Sequence, residues 1–196
     1  MTAASQLGEI VEQLHREGQT VMNLVRAGQA SGPWQLYPNE YGIFDERTRY
    51  QFYYHSHGDG REEDGHFHTV KLFADHTVHL VGISMAETGW PQALFTVNLW
   101  ATGDVYESAE TVRRYARNFR IDERRGPARL VRFVNLLFRA FLPEIERLQD
   151  EKIAALSAHR LAHPNRDPFR DRSLEVLSRV AIDVSQRPAA LVETVR

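Results

Sequence analysis

The sequence predicts an α+β domain in which an antiparallel β-meander of about four to six strands packs on N- and C-terminal helices. Apolar residues recur at helical spacing near the N-terminus, and the same pattern returns after residue 108. Between them lie short runs rich in Tyr, Phe, Val and Thr that Gly, Asp and Pro interrupt. With 196 residues, 42% hydrophobic and 26% charged, the composition favours one soluble globular domain over residues 1–196.

The first predicted element is a helix over residues 5–30, which the Ser-Gly-Pro stretch at 31–33 ends. The predicted sheet occupies residues 34–101 and begins with a short strand or irregular segment around 34–44. Alternating apolar and polar residues then predict strands near 47–57, 66–74, 77–85 and 94–101.

The C-terminal part, residues 108–186, is predicted to be helical. One helix covers 108–122, and a longer one covers 128–160, where Pro143 should kink or break it. A last helix over about 173–186 follows a polar, proline-containing segment. The apolar stripe of the 128–160 helix is expected to pack on the sheet, with length to spare for a homodimer contact.

Composition excludes several classes of function. The chain has no cysteine, which excludes thiolate catalysis, cysteine-ligated metals and disulfides. Its net charge of −2 argues against a general nucleic-acid binder. We see no secretory leader pattern and no apolar run long enough for a membrane span, so we expect a cytoplasmic protein without a membrane partner.

Arginines are concentrated between residues 113 and 125. The favoured interpretation is a solvated face that is paired with neighbouring acidic residues. The alternative is a site for an anionic ligand, because a guanidinium group binds phosphate and carboxylate groups bidentately.

The histidines carry the strongest chemical signal. Two His-x-His pairs, His55 with His57 and His66 with His68, flank a glycine-rich acidic loop. Residues two apart in a strand share a face, and a symmetric hairpin would place His57 opposite His66 and His55 opposite His68. Four converging imidazoles predict a site for one transition metal ion, either Fe, Cu or Zn. Half-buried structural histidines and proton or anion chemistry without a metal are the alternatives.

The same reasoning predicts a pocket for a small-molecule substrate beside the metal. A tight turn at 75–76 would pair His66 with Met85 and His68 with Ile83. The pocket residues predicted to share the histidine face are Tyr53, Ile83, Met85, Thr96, Asn98 and Trp100. Glu63 is the candidate catalytic carboxylate or a replacement ligand, with Glu62 and Asp64 as alternatives.

Two resemblances attach to these motifs. His55-Ser56-His57 followed by Glu63 and later histidines resembles the cupin pattern of His-x-His, Glu and a further His. Cupins differ in loop spacing and contain more strands than this chain provides. The segments YYHSH and EEDGHFHTV, with LFTVNLWATG downstream, resemble an uncharacterised bacterial family with a Tyr-x-His-x-His…Gly-His-Phe-His motif. Its function is unknown, so this resemblance implies no activity.

The sequence therefore predicts a His-ligated metalloprotein that acts as an enzyme on a small organic substrate. Oxidative chemistry with iron or copper is favoured over hydrolysis, because Glu62, Glu63 and Asp64 are the only evident general bases in the motif. The alternative is a non-enzymatic protein that binds a small molecule or a metal, or that serves as an accessory protein.

Overall fold

A computed structural model describes residues 1–30, 32, 34–56, 63–103 and 105–185, and it confirms an α+β fold with an antiparallel sheet and flanking helices. Within these residues the sheet has six strands in the order β1 to β6, and each strand is antiparallel to its neighbours. The strands are β1 (Ile43–Asp45), β2 (Tyr50–His55), β3 (Gly65–Leu72), β4 (Thr77–Met85), β5 (Pro91–Val97) and β6 (Val176–Ala181). The α-helices are α1 (Ala3–Arg16), α2 (Val21–Arg26), α3 (Leu99–Thr102), α4 (Ala109–Arg117), α5 (Ala128–Ala140) and α6 (Leu142–Ala162).

The single N-terminal helix predicted over residues 5–30 is wrong, because the chain forms α1 and α2 instead. Gly18 has a φ of 69°, a left-handed conformation that glycine adopts without steric cost, and it ends α1. Thr20 precedes α2, and the side chain of Asn23 accepts a hydrogen bond from the Thr20 backbone N–H at 2.7 Å. These local signals divide an otherwise helical apolar pattern.

The predicted break at Pro143 is confirmed. The helical pattern over 128–160 forms α5 and α6, which meet at Phe141. Pro143 lies in the first turn of α6, where a backbone N–H has no acceptor within the helix, so proline costs no hydrogen bond there. Of the helices in the described part of the chain, none is long and apolar enough to cross a membrane.

The last predicted helix, over 173–186, is wrong, because this segment forms β6 against β5. The Oγ atoms of Thr96 and Ser178 lie 2.6 Å apart, and the Ser178 hydroxyl donates to the Leu148 carbonyl of α6 at 2.9 Å. Pairing with an available sheet edge outweighs a short helical pattern. The predicted strand over 94–101 ends early, at Val97, because Asn98 caps α3.

One face of the sheet packs against the C-terminal helices and forms the core. Phe67 of β3 contacts Phe133 of α5 with ring centroids 6.4 Å apart, and the Tyr50 hydroxyl donates to the Tyr115 carbonyl of α4. Gln149 of α6 donates to the Leu80 carbonyl of β4. The opposite face of the sheet carries the histidines.

Candidate metal centre

The β2–β3 register brings two of the four predicted ligands opposite each other. His55 pairs with His66, and Tyr53 pairs with His68. The predicted register is wrong by two residues, but a shift of two keeps every side chain on its face, so these histidines still converge. His57 and Glu62 lie outside the described residues.

The β3–β4 register is one residue away from the predicted one. His66 pairs with Ser84 and His68 with Gly82, whereas the prediction paired them with Met85 and Ile83. Ile83 and Met85 therefore lie on the helix-packed face, where both are fully buried in the core.

Two local features cause this difference. The β3–β4 turn occupies residues 74–75 and not 75–76, since the Phe73 N–H donates to the His76 carbonyl. A β-bulge then leaves Leu80 without a cross-strand partner, between the pairs Thr69–Val81 and Val70–His79. Strict alternation from Gly82 would place His79 on the helix-packed face. Because of the bulge, His79 lies on the histidine face instead.

Gly82 is the sequence signal that could have revealed this irregularity, because glycine inside a strand often marks a bulge or a close approach. A Cβ atom at Gly82 would lie 2.3 Å from Cζ of Phe95, its partner in β5. The Phe95 ring thus lies over Gly82 on the histidine face, 5.2 Å from His66 between ring centroids.

Among the predicted pocket residues, Tyr53 lies beside the histidines, with its ring centroid 5.4 Å from that of His68. Thr96 lies on the helix-packed face and contacts Ser178. Asn98 caps α3 and Trp100 belongs to α3, where its indole N–H donates to the Leu174 carbonyl. The predicted placement of Ile83, Met85, Thr96, Asn98 and Trp100 on the histidine face is wrong for the reasons given above.

His55, His66 and His68 form a compact cluster that could hold a metal ion. Each of them offers a ring nitrogen, and these nitrogens all lie within 4.8 Å of one another. The Nε2 atoms of His55 and His66 are 2.7 Å apart. His66 and His68 are buried, and His55 is partly exposed.

Glu63 contacts His66 at Nδ1, the ring nitrogen that is not the one next to His55. Its Oε1 lies 2.8 Å from Nδ1 of His66, and its Oε2 accepts a hydrogen bond from the Ser84 hydroxyl. Burial would raise the pKa of Glu63, but the hydrogen bonds from His66 and Ser84 outweigh it and hold the pKa below its usual value. A carboxylate on Nδ1 directs the Nε2 lone pair of His66 toward the cluster, an arrangement typical of metal-ligating histidines.

His79 holds His68 in the same way. Its Nε2 lies 2.9 Å from Nδ1 of His68, so that Nε2 of His68 would be the ligand atom. Burial, with added repulsion from Lys152 and His66, lowers the pKa of His79 to about 3. A neutral His79 adds no positive charge that would oppose a bound cation.

The cluster fits a metal ion after a small adjustment. Metal–nitrogen bonds of about 2.0–2.1 Å in a tetrahedral site place ligand nitrogens about 3.3–3.4 Å apart. The His55–His66 pair would open by about 0.6 Å, and the most distant nitrogens would move closer. His55 is partly exposed, so its ring has more room to adjust than the buried rings of His66 and His68.

Asp64, the other described acidic candidate, has a structural role. One terminal nitrogen of the Arg26 guanidinium lies 2.8 and 2.7 Å from the two Asp64 carboxylate oxygens, and the Tyr54 hydroxyl donates to the same carboxylate. The Asp64 N–H donates to the Met85 carbonyl. These bonds fix the chain next to Glu63, so Asp64 positions the loop and does not join the cluster.

The fold and this cluster define an α+β protein whose antiparallel sheet carries three grouped histidines on the face opposite its core. The chain belongs to DUF6969, a domain of unknown function, whose family model matches residues 1–182. That membership confirms the expected uncharacterised family. No curated protein and no solved structure matches the chain.

Proposed function

We propose that this protein is a metalloprotein that binds one first-row transition metal ion through His55, His66 and His68. The observation that carries the proposal is the convergence of three ring nitrogens within 4.8 Å. Two of the three rings are also held at Nδ1, His66 by Glu63 and His68 by His79. Imidazole ligands favour Zn, Cu, Fe or Ni over Mg or Ca.

A purely structural role explains this arrangement less well. Buried polar rings can satisfy one another by hydrogen bonds, and the 2.7 Å contact between His55 and His66 is one such bond. However, placing a carboxylate against the far side of His66 increases the basicity of the nitrogen that faces the other rings. A more basic nitrogen binds a cation more tightly, so this arrangement is useful if a metal ion lies between the three rings.

We further propose that the metal centre is an enzyme site for a small organic substrate. Three protein ligands leave at least one coordination position for water, dioxygen or substrate. Both carboxylate oxygens of Glu63 are engaged, by His66 and Ser84, so Glu63 is better suited to position a ligand than to act as a general base. This favours oxidative chemistry with iron or copper over hydrolysis.

A metal-binding or accessory protein without turnover is the second candidate function. The observation that favours it is the burial of His66 and His68, which are 5% and 6% exposed. His55 is the most exposed of the three histidines, and the rings of Trp34 and Tyr53 lie with their centroids 5.9 and 6.3 Å from its imidazole. These aromatic rings favour the enzyme instead, because aromatic side chains beside the exposed ligand suit a small planar substrate.

Metal content of protein made without a polyhistidine tag, in metal-supplemented medium, tests the metal assignment. We expect close to one first-row transition metal per chain, with loss of the metal in His66→Ala and His68→Ala. His163→Ala is the matched control, because His163 is exposed at the end of α6 and should leave metal content unchanged. Metal-free protein that takes up no metal on titration would exclude the proposal.

Azide added to the copper(II)-loaded protein separates the two candidate functions. An open coordination position gives a new azide-to-copper charge-transfer band, as the enzyme requires. A spectrum that azide leaves unchanged indicates a closed site and favours the accessory protein.

Some sequence-based expectations remain predictions. They are a single domain over residues 1–196, a cytoplasmic location, the absence of a nucleic-acid partner and a homodimer contact through residues 128–160.

A further inference from the structure

A cleft lies on the helical side of the molecule, away from the histidine face. It has a volume of about 650 Å³ and is lined by residues of α1, α4, α5 and the segment between α4 and α5. We propose that this cleft binds a small anionic ligand that carries a phosphate group. The proposal is independent of the metal centre.

The cleft has a strong excess of positive charge. Its lining includes four arginines, Arg117, Arg120, Arg132 and Arg139, and one acidic residue, Glu123. This local excess contrasts with a net charge of −2 for the whole chain. Like charges grouped in one concave site repel each other and raise the local concentration of anions.

Two of these arginines are held in place by acidic residues. Nε of Arg117 donates to Glu146 at 2.5 Å, and Arg132 donates from Nε and one terminal nitrogen to Glu123. Within the run between residues 113 and 125, the solvated-face interpretation therefore holds for Arg117, and also for Arg113, which pairs with Asp150. These exposed pairs orient the guanidinium groups and do little for stability.

Arg120 and Arg139 differ from these. Neither side chain has an ion pair or hydrogen bond to any residue in the described ranges. Both line the cleft, so two guanidinium groups are available to an incoming ligand. Arg120 belongs to the run between 113 and 125, and among the described residues it lacks the acidic partner that the solvated-face interpretation expects.

The floor of the cleft is fixed. The Asn135 side chain accepts from the Ile121 N–H and donates to the Ile121 carbonyl, which pins the chain next to Arg120. Phe119 stacks on Phe138 with ring centroids 3.8 Å apart. A rigid floor lowers the entropy cost of holding a ligand between the arginines.

Phosphate fits this site better than a single carboxylate does. A phosphate monoester carries close to two negative charges at neutral pH, and its oxygens accept bidentate hydrogen bonds from guanidinium groups. A volume of about 650 Å³ suits a small molecule and exceeds the needs of the phosphate group alone. The remaining space would hold the rest of an ester.

Isothermal titration with inorganic phosphate, using metal-free protein at constant ionic strength, tests the proposal. We expect saturable binding that Arg120→Gln and Arg139→Gln each weaken by about tenfold, since each removes a charge-assisted hydrogen bond. Arg16→Gln is the matched control, because Arg16 is exposed at the far end of α1, about 15 Å along the helix from Gln6 at the cleft. That variant should bind phosphate like the parent.

Four results would overturn the proposal. One is the absence of saturable binding, and another is an affinity that the Arg120 and Arg139 substitutions leave unchanged. The third is tight binding of duplex DNA through the same two arginines at physiological salt. His68→Ala should keep its phosphate affinity, and loss of phosphate binding in that variant would place the anion at the histidine cluster instead.

Discussion

Replacing Glu63 by glutamine should weaken metal binding while leaving all three proposed ligands in place. The carboxylate accepts hydrogen bonds from both His66 and Ser84, whereas an amide has one acceptor oxygen and must present its NH₂ group to the other partner. Loss of such a partner behind a metal-ligating histidine typically reduces metal affinity by about 10- to 100-fold.

The expected size of the effect follows from mass action. Zinc at about 100 times the parent dissociation constant stabilises the folded state by roughly 2.7 kcal/mol. The same zinc concentration should stabilise Glu63→Gln by only about 0.4–1.4 kcal/mol. For a chain of this length these values correspond to increases in Tm of about 5–11 °C for the parent and about 1–6 °C for the variant.

Thermal unfolding with and without zinc, after removal of bound metal, measures both shifts. Glu12→Gln is the control, because Glu12 is exposed on α1 and its substitution should leave the zinc shift at the parent value. An equal zinc shift in Glu63→Gln and in the parent would refute the role assigned to Glu63. A reduced shift in Glu12→Gln as well would show that general charge, and not position, causes the effect.

Two further predictions concern the scaffold. Gly82→Ala should destabilise the protein by about 1–3 kcal/mol in urea unfolding, because the new Cβ would lie 2.3 Å from Cζ of Phe95, and unchanged stability would contradict the observed register. Asp45→Asn should cost about 1–3 kcal/mol at pH 7, because the buried carboxylate accepts from three backbone N–H groups, including that of Asp122. Burial would raise the pKa of Asp45, but these hydrogen bonds outweigh burial and lower the pKa. The stabilisation is therefore present above the usual carboxyl pKa, and it is lost as the pH falls through the lowered pKa of the folded state. Urea midpoints of parent and variant should therefore converge in acid, and a difference that grows as the pH falls would refute this assignment.

Strand alternation was enough to predict which histidines share a face. His55, His66 and His68 keep that face because the β2–β3 hairpin differs from the predicted one by an even number of residues. Pairing across β3 and β4 was not predictable in this way. The turn and the bulge at Leu80 together shift the register by an odd number, which moves Met85 to the other face.

The roles of His79 and of the C-terminal strand depend on tertiary contacts. His79 reaches His68 only because Leu80 is left without a cross-strand partner, and periodicity alone does not locate such a bulge. The segment around Ser178 has a pattern that suits a helix as well as a strand. Its pairing with Thr96 at the edge of β5 decides between them.

X-ray absorption at the zinc edge of the zinc-loaded protein reports the ligands of the bound ion, and so tests whether His55, His66 and His68 bind it. We expect three imidazole nitrogens at about 2.0–2.1 Å, with an oxygen ligand from water in the remaining position. The imidazole signal should fall to two rings or disappear in His68→Ala. A shell of oxygen atoms without imidazole, or a parent spectrum that His68→Ala leaves unchanged, would contradict a metal centre built on these three histidines.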